Sequence, residues 1–259
     1  MQKTSKHPMK KMLCALFLTF ISPALFAAPA AKEETITIDN TLALKKSRLS
    51  DQKNGRAVNV EYPQLHPAVP AFNREMQQFI TAKRAHFKTV INPDSRYGNT
   101  LYIDYLHSMT TMNRATVLSI LFESEYFTGG AHPWHELDTF NYNVKNKQFL
   151  KLNDLFKPNS DYLKLISAYC YDALKKKLEF KTEDQTQLDW LKEGTAPLEK
   201  NYRHWTLQSD GLLIHFDEYQ VAAYVYGRPT VLVPYEVLNL HHPKRFNAYT
   251  KSSASFAVS

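Results

Sequence analysis

The densest group of side chains able to do chemistry is His132-Pro133-Trp134-His135-Glu136. His132 and His135 would share a face as a metal pair if the segment were helical. Pro133 and the Gly129-Gly130 pair before it argue instead for a turn, and the His-Glu-x-x-His order of a zinc hydrolase is absent. Two readings then stay open for these histidines, fixing a loop by hydrogen bonds or touching a ligand. Asp217-Glu218 is a pair of carboxylates, but a glycosidase pair is defined by spatial separation, so the sequence reads it as a solvated turn. Cys170 sits on an apolar helical pattern and reads as a buried structural thiol rather than a nucleophile. There is no Gly-x-Ser-x-Gly elbow and no Gly-x-x-x-x-Gly-Lys loop. No catalytic residue, metal site or cofactor is expected from these patterns.

Binding is the better-supported use of the same region. The chain has seven glycines, and two are adjacent in Tyr126-Phe127-Thr128-Gly129-Gly130-Ala131-His132-Pro133-Trp134. Glycine tolerates positive φ and close backbone approach, so both glycines are expected to hold a special turn, with Gly130→Val costly. Tyr126, Phe127, Trp134, Tyr219, Tyr224 and Tyr226 cluster around the two most distinctive segments. Packing on a sheet is the ordinary reading for each ring, whereas Trp134 follows a turn and is expected to be an exposed anchor. The candidate ligand-binding residues are Tyr126, Gly129, Gly130, His132, Trp134 and His135.

The elements that must position these residues read as α+β. Val58–Pro63 alternates as a strand stopped by its proline. Phe72, Met76, Phe79, Ile80 and Phe87 fall on one face of a helix. Leu101–Tyr105 and Thr116–Tyr126 are rich in β-branched and aromatic residues, with a bend at Asn113-Arg114. In the second run Leu118, Ile120, Phe122 and Tyr126 share one face; Ser119, Leu121, Glu123 and Glu125 share the other. Thr139–Val144 and Gln148–Leu152 are further strands around a Lys145-Asn146-Lys147 turn. A helix follows a cap at 159–161 and runs to about Lys181, and Thr182-Glu183-Asp184-Gln185 forms a capping box for a second that stops at Gly194. Two hairpins close the chain, Trp205–Gln208 with Leu212–Phe216 and Gln220–Tyr226 with Thr230–Pro234. This order predicts a mostly antiparallel sheet with helices packed on one face.

Residues 1–27 have a basic start followed by a short apolar run and small residues, the pattern of a secretory signal peptide. The run is shorter than a spanning helix requires, and Cys14 lies at its front without a lipobox, so an exported chain without membrane span or lipid anchor is expected. Cleavage is expected between residues 27 and 31. Removing the four lysines before it from 32 basic residues leaves 28 against 25 acidic, an ordinary balance that does not point to nucleic acid. Cys170 is then the sole cysteine, and stability must come from a hydrophobic core rather than a disulfide.

Three blocks taken together carry a resemblance: Ser119–Glu123 with Tyr126–Pro133, Leu152–Phe156, and Asp210–Gly227 with Val233–Glu236. They resemble a bacterial extracytoplasmic domain family of unknown function that forms the outer part of RsiV-type anti-sigma factors. Residues 36–120 resemble the companion domain that precedes the catalytic domain of PdaC-type peptidoglycan deacetylases. The resemblance implies an N-terminal part at 36–120 and an outer-domain part at 121–245, between a leader at 28–35 and a tail at 246–259 that are read from the residues themselves. It also implies a periplasmic or secreted binding module for a lysozyme-like protein or peptidoglycan. Anti-sigma signalling and deacetylation are not carried over, because neither the spanning helix nor the catalytic domain is read in this sequence. The alternatives are an envelope glycan hydrolase or deacetylase and a structural accessory of an envelope complex.

Overall fold

Seven strands of the computed structural model lie side by side in chain order, β1 (Thr35–Thr37), β2 (Ala43–Lys53), β3 (Arg56–His66), β4 (Asn99–Met112), β5 (Ala115–Phe127), β6 (Trp134–Asn143) and β7 (Gln148–Phe149). The structure describes residues 35–38, 41–112 and 115–238, all within one unit that begins at Glu33. The expected signal peptide, its cleavage site, the bend at Asn113-Arg114 and the tail lie outside the described residues.

Neighbouring strands are antiparallel except β3 and β4, which are parallel and joined through helix α1 (Pro70–Val90). A parallel pair needs such a crossover, whereas antiparallel neighbours can be joined directly by short connections. Helix α1 buries Phe72, Met76, Ile80 and Phe87, as the spacing predicts. Phe79 packs on Phe122 and Phe140, with centroids 4.6 and 5.2 Å apart. On the sheet, this core takes Leu101 and Ile103 from β4, Leu118, Ile120, Phe122 and Tyr126 from β5, and Tyr142 from β6.

Pro63 does not end its strand. From residue 61 onward β3 pairs with β2 alone, and the N–H that Pro63 lacks is not required by a strand on the other side.

A second, three-stranded antiparallel sheet follows, ordered β10 (Thr230–Pro234), β9 (Gly211–His215), β8 (Trp205–Leu207). It packs with α2 (Tyr162–Lys177) and α3 (Gln185–Gly194) around a second core that includes Cys170, whose thiol burial pushes well above its usual pKa. The α+β class therefore stands, with α1 on the large sheet and α2 and α3 on the small one. The capping box expected before α3 does not form. Asp184 is the cap residue, without a side-chain cap bond, and its carboxylate accepts from the Lys181 N–H instead.

Edge strand β8 of the small sheet meets the large sheet through a polar seam. Ser119 Oγ donates to Asn141 Oδ1 (2.5 Å) and accepts from the Leu207 N–H (3.1 Å). Asn141 Nδ2 donates to Trp205 O (2.9 Å), and Ser108 Oγ donates to Leu207 O (2.6 Å). Strand β8 thus satisfies its outer edge with side chains of the large sheet instead of another strand. Because one face of β5 meets α1 and the other meets this seam, the strand is buried along most of its length. The 120/121 boundary implied by the resemblance falls inside β5.

Candidate functional site

Residues 217–229 gather four of the chain's large exposed hydrophobic side chains in one segment. Tyr219, Tyr224, Val225 and Tyr226 are 52%, 37%, 83% and 41% exposed. The strand expected at Gln220–Tyr226 is absent. The segment is a series of turns with a short 3-10 turn at Tyr224–Tyr226 and positive φ at Tyr219 and Gly227. Its composition is strand-like, but its backbone bonds go elsewhere. Gln220 Nε2 donates to Gly194 O (3.1 Å) and Asn201 O (2.9 Å), while Trp190 Nε1 donates to Tyr219 O (2.8 Å).

Both ends of this loop are tied to the back of the large sheet. At the first end, Glu218 Oε1 lies 2.7 Å from His135 Nδ1, and His135 Nε2 is 3.2 Å from Glu125 Oε2. At the other end, Arg228 Nη2 donates to Glu123 Oε2 (3.3 Å). Between these ties the His132 ring stacks on Tyr224, with centroids 4.8 Å apart, and His132 Nδ1 donates to Pro133 O (2.7 Å). Tyr224 in turn packs on Tyr219 at 5.8 Å, and Tyr226 meets the edge of Phe180 at 5.3 Å. The aromatic surface is preformed rather than a floppy excursion. Asp217 reinforces its base by pairing with Arg203. Burial opposes ionisation of Asp217, but hydrogen bonding and charge from His204 and Arg203 outweigh it and hold the carboxyl below its ordinary pKa.

The residues singled out from sequence are divided by the sheet. His132 and His135 belong with the aromatic loop. Trp134, Glu136 and Tyr126 face α1 on the opposite side. Trp134 is the first residue of β6, half-buried, and stacks on Tyr126 with centroids 5.1 Å apart and planes 8° off parallel. The expectation that it lacks a strand face and stands as an exposed anchor is corrected by this pairing. Tyr126 is fully buried and supports Trp134 from beneath; burial and the charge of Glu136 push its hydroxyl well above the usual range. Glu136 and Asp138 are held by Lys83 of α1, at 2.7 and 2.6 Å. Among the described residues, no three His, Cys, Asp or Glu side chains are grouped to hold a metal ion.

The paired glycines also separate. Gly129 has φ +87°, and a Cβ there would lie 2.8 Å from Ser95 Cβ and closer still to Ser95 Oγ, whose hydroxyl donates to Gly98 O. Gly130 has no such φ, and its nearest neighbour would be His132 O at 3.9 Å. The costly substitution is thus at Gly129 rather than Gly130. Gly129→Ala is expected to lose about 1–2 kcal/mol from the left-handed backbone alone, lowering the melting temperature by a few degrees. Gly130→Ala should melt like wild type, and equal melting of the two variants would remove the distinction.

The sequence reads Asp217-Glu218 as a solvated turn; instead the Glu218 side chain is 12% exposed and held by His135. Arg228, Glu123 and Glu125 were not among the residues picked from sequence. The tyrosine density of 219–226 was the available signal, but the Glu218 partner of His135 lies 83 residues away in the chain.

Residues 153–236 match the DUF3298 family, described as a protein of unknown function. The chain is 31% identical over 193 residues to the peptidoglycan-N-acetylmuramic acid deacetylase PdaC of Bacillus subtilis (strain 168). That match covers 71% of this chain and 39% of the relative, so the chain spans about two fifths of that protein's length. Two solved structures share the fold. A DUF3298 family protein from Pseudomonas aeruginosa PAO1 has a TM-score of 0.60 at 19% identity, covering 79% of this chain and 98% of its own. A DUF3298 member from Bacteroides fragilis NCTC 9343 has a TM-score of 0.52 at 16% identity, covering 81% and 96%. The chain therefore carries a DUF3298 domain at residues 153–236, which comprises the three-stranded sheet with α2 and α3 and supplies the aromatic loop of the site.

Proposed function

We propose that this chain is an exported binding module for a component of the bacterial cell envelope, and that residues 217–229 with His132 form its contact surface. The observation that carries this reading is the loop itself, tied down by His135–Glu218 and Arg228–Glu123 while it leaves three tyrosines exposed. Tyrosine offers a large apolar face with a polar tip at low entropic cost on binding, which suits sugars and protein surfaces alike. Rigid ties reduce the ordering that a ligand would otherwise have to impose. Peptidoglycan is the favoured ligand, supported by the PdaC similarity and by the carboxylates of Glu123 and Glu125, which can accept from sugar hydroxyls beside the rings. The sequence resemblance to RsiV-type outer domains supports the second reading, a lysozyme-like protein docking on the same tyrosines. Export, and a periplasmic or secreted location, rest on the signal-like start of the chain and on the relative's peptidoglycan-directed name. No helix among the described residues is long and apolar enough to cross a membrane.

The test is co-sedimentation with purified peptidoglycan and, separately, binding to lysozyme, using wild type, Tyr224→Ala and Trp134→Ala, with folding checked by melting. Removing an aromatic hot spot costs about 2 kcal/mol or more, roughly thirtyfold in affinity. Tyr224→Ala is expected to show that loss for the true ligand while retaining its fold. A loss confined to Trp134→Ala would move the site to the α1 side, and wild type binding neither ligand would end the proposal.

A further inference from the structure

A cleft of about 420 Å³ lies between β6, the 150–153 segment, the first turn of α2 and the Glu199–Tyr202 turn, lined by none of residues 217–229. Its volume lies within the range of small-molecule pockets. The polar groups of its floor are already satisfied. Asn141 bridges Ser119 and Trp205, Thr139 Oγ1 accepts from the Trp205 N–H (3.2 Å), and the Tyr202 hydroxyl donates to Thr195 O (2.5 Å). Arg203 is engaged by His204 and Asp217. The rim differs. Lys151 and Glu199 make no ion pair, and the side chains of Asn153 and Tyr162 make no hydrogen bond, among the described residues. Burial and the charge of Glu199, which lines the same cleft, push the Tyr162 hydroxyl up, so the phenol stays neutral and its oxygen can accept from an ammonium.

A rigid, satisfied floor beneath one uncommitted cation and one uncommitted anion selects its ligand by charge. A singly charged molecule would pair with one rim group and leave the other unanswered, and a neutral molecule would pair with neither. A molecule carrying both charges a few bonds apart answers both, and the half-buried side chains of Leu150, Leu152 and Tyr162 leave a small apolar body something to rest on. We propose that this cleft is a second binding site, for a small zwitterion such as a free amino acid or a dipeptide, with Lys151 and Asn153 taking its carboxylate and Glu199 and Tyr162 its ammonium. The site is independent of the aromatic loop and stands whether or not that loop binds an envelope component.

The experiment is calorimetric titration of the full chain with free amino acids of both hands and with Ala-Ala, alongside N-acetyl-Ala-Ala and Ala-Ala-amide. The unmodified dipeptide or at least one free amino acid is expected to bind, with blocking of either end weakening affinity about tenfold or more. Glu199→Gln should weaken the unmodified ligand by a similar factor and leave the N-acetyl form as it is in wild type. Lys151→Met should do the same with respect to the amide. Both positions are exposed, and unchanged melting temperatures confirm that each variant folds. The proposal is overturned if nothing in the panel binds, if end-blocked ligands bind as well as free ones, or if both variants bind as wild type does.

Discussion

Replacing Gly194 with alanine should lower the melting temperature of this protein by roughly 2–12 °C, although helix propensity alone argues for the opposite sign. Gly194 is the last residue of α3, where alanine would ordinarily gain about 0.5–1 kcal/mol. Packing decides otherwise. A Cβ there would lie 2.8 Å from the Gln220 carbonyl carbon, nearer still to its oxygen, and 2.9 Å from Val221 Cγ1. Neither side can easily yield, because Gln220 is bonded by its own side chain to Gly194 O and Asn201 O. Overpacking of this kind costs about 1–3 kcal/mol, and each kcal/mol moves the midpoint by about 2–4 °C at this size. The same displacement reaches Tyr219, the next residue in the loop, so affinity for the loop's ligand should fall together with stability. Thermal melting of Gly194→Ala against wild type reads the first effect. A variant as stable as its parent would mean that the α3–loop contact is looser than described.

Acid should destabilise the protein well before its surface carboxylates titrate, and His215 should be the main cause. His215 is buried in β9 with Nε2 3.0 Å from Thr206 Oγ1. Burial, and then the charge of His204, push its pKa down from 6.5 to about 3. Between those values the unfolded chain binds a proton that the folded chain refuses, so stability is full above pH 6.5 and declines as pH falls toward 3. At about 1.4 kcal/mol per pH unit, the loss between pH 6.5 and 4.5 is about 2–3 kcal/mol. Asp217 acts in the same direction lower down, since its depressed pKa stabilises the fold until that carboxylate is protonated. Urea midpoints of wild type and His215→Gln across this range provide the check. The amide can still bond Thr206 but cannot take up the proton, so its curve should be flatter. Parallel curves for the two proteins would remove His215 from the account.

Periodicity in the sequence was enough to place α1, because Phe72, Met76, Ile80 and Phe87 recur at helical spacing and bury against whatever they meet. It was equally enough for β4 and β5, whose alternation assigns Leu118, Ile120, Phe122 and Tyr126 to one face, and for the β8–β9 hairpin around Asp210-Gly211. The one shape-determining glycine of the Gly-Gly pair, by contrast, depended on Ser95, some 34 positions earlier. Trp134 was misjudged for the same reason, since the face it packs on belongs to Tyr126 across the hairpin. The aromatic loop shows the limit most clearly. Gln220–Tyr226 has the composition of a strand, but strand propensity reports the fit of side chains to a half-buried pleat and contains no information about available partners. Here the small sheet ends at β10 and β8, while Gly194, Asn201, Trp190, His135 and Glu123 take up the loop's polar groups. Local pattern therefore determined the buried faces of α1 and β5 and the kind of element that carries each. Tertiary structure alone decided which residues form the site, because hydrogen bonds and ion pairs act over a few ångströms in space and are indifferent to the 83 to 105 positions that separate their partners along the chain.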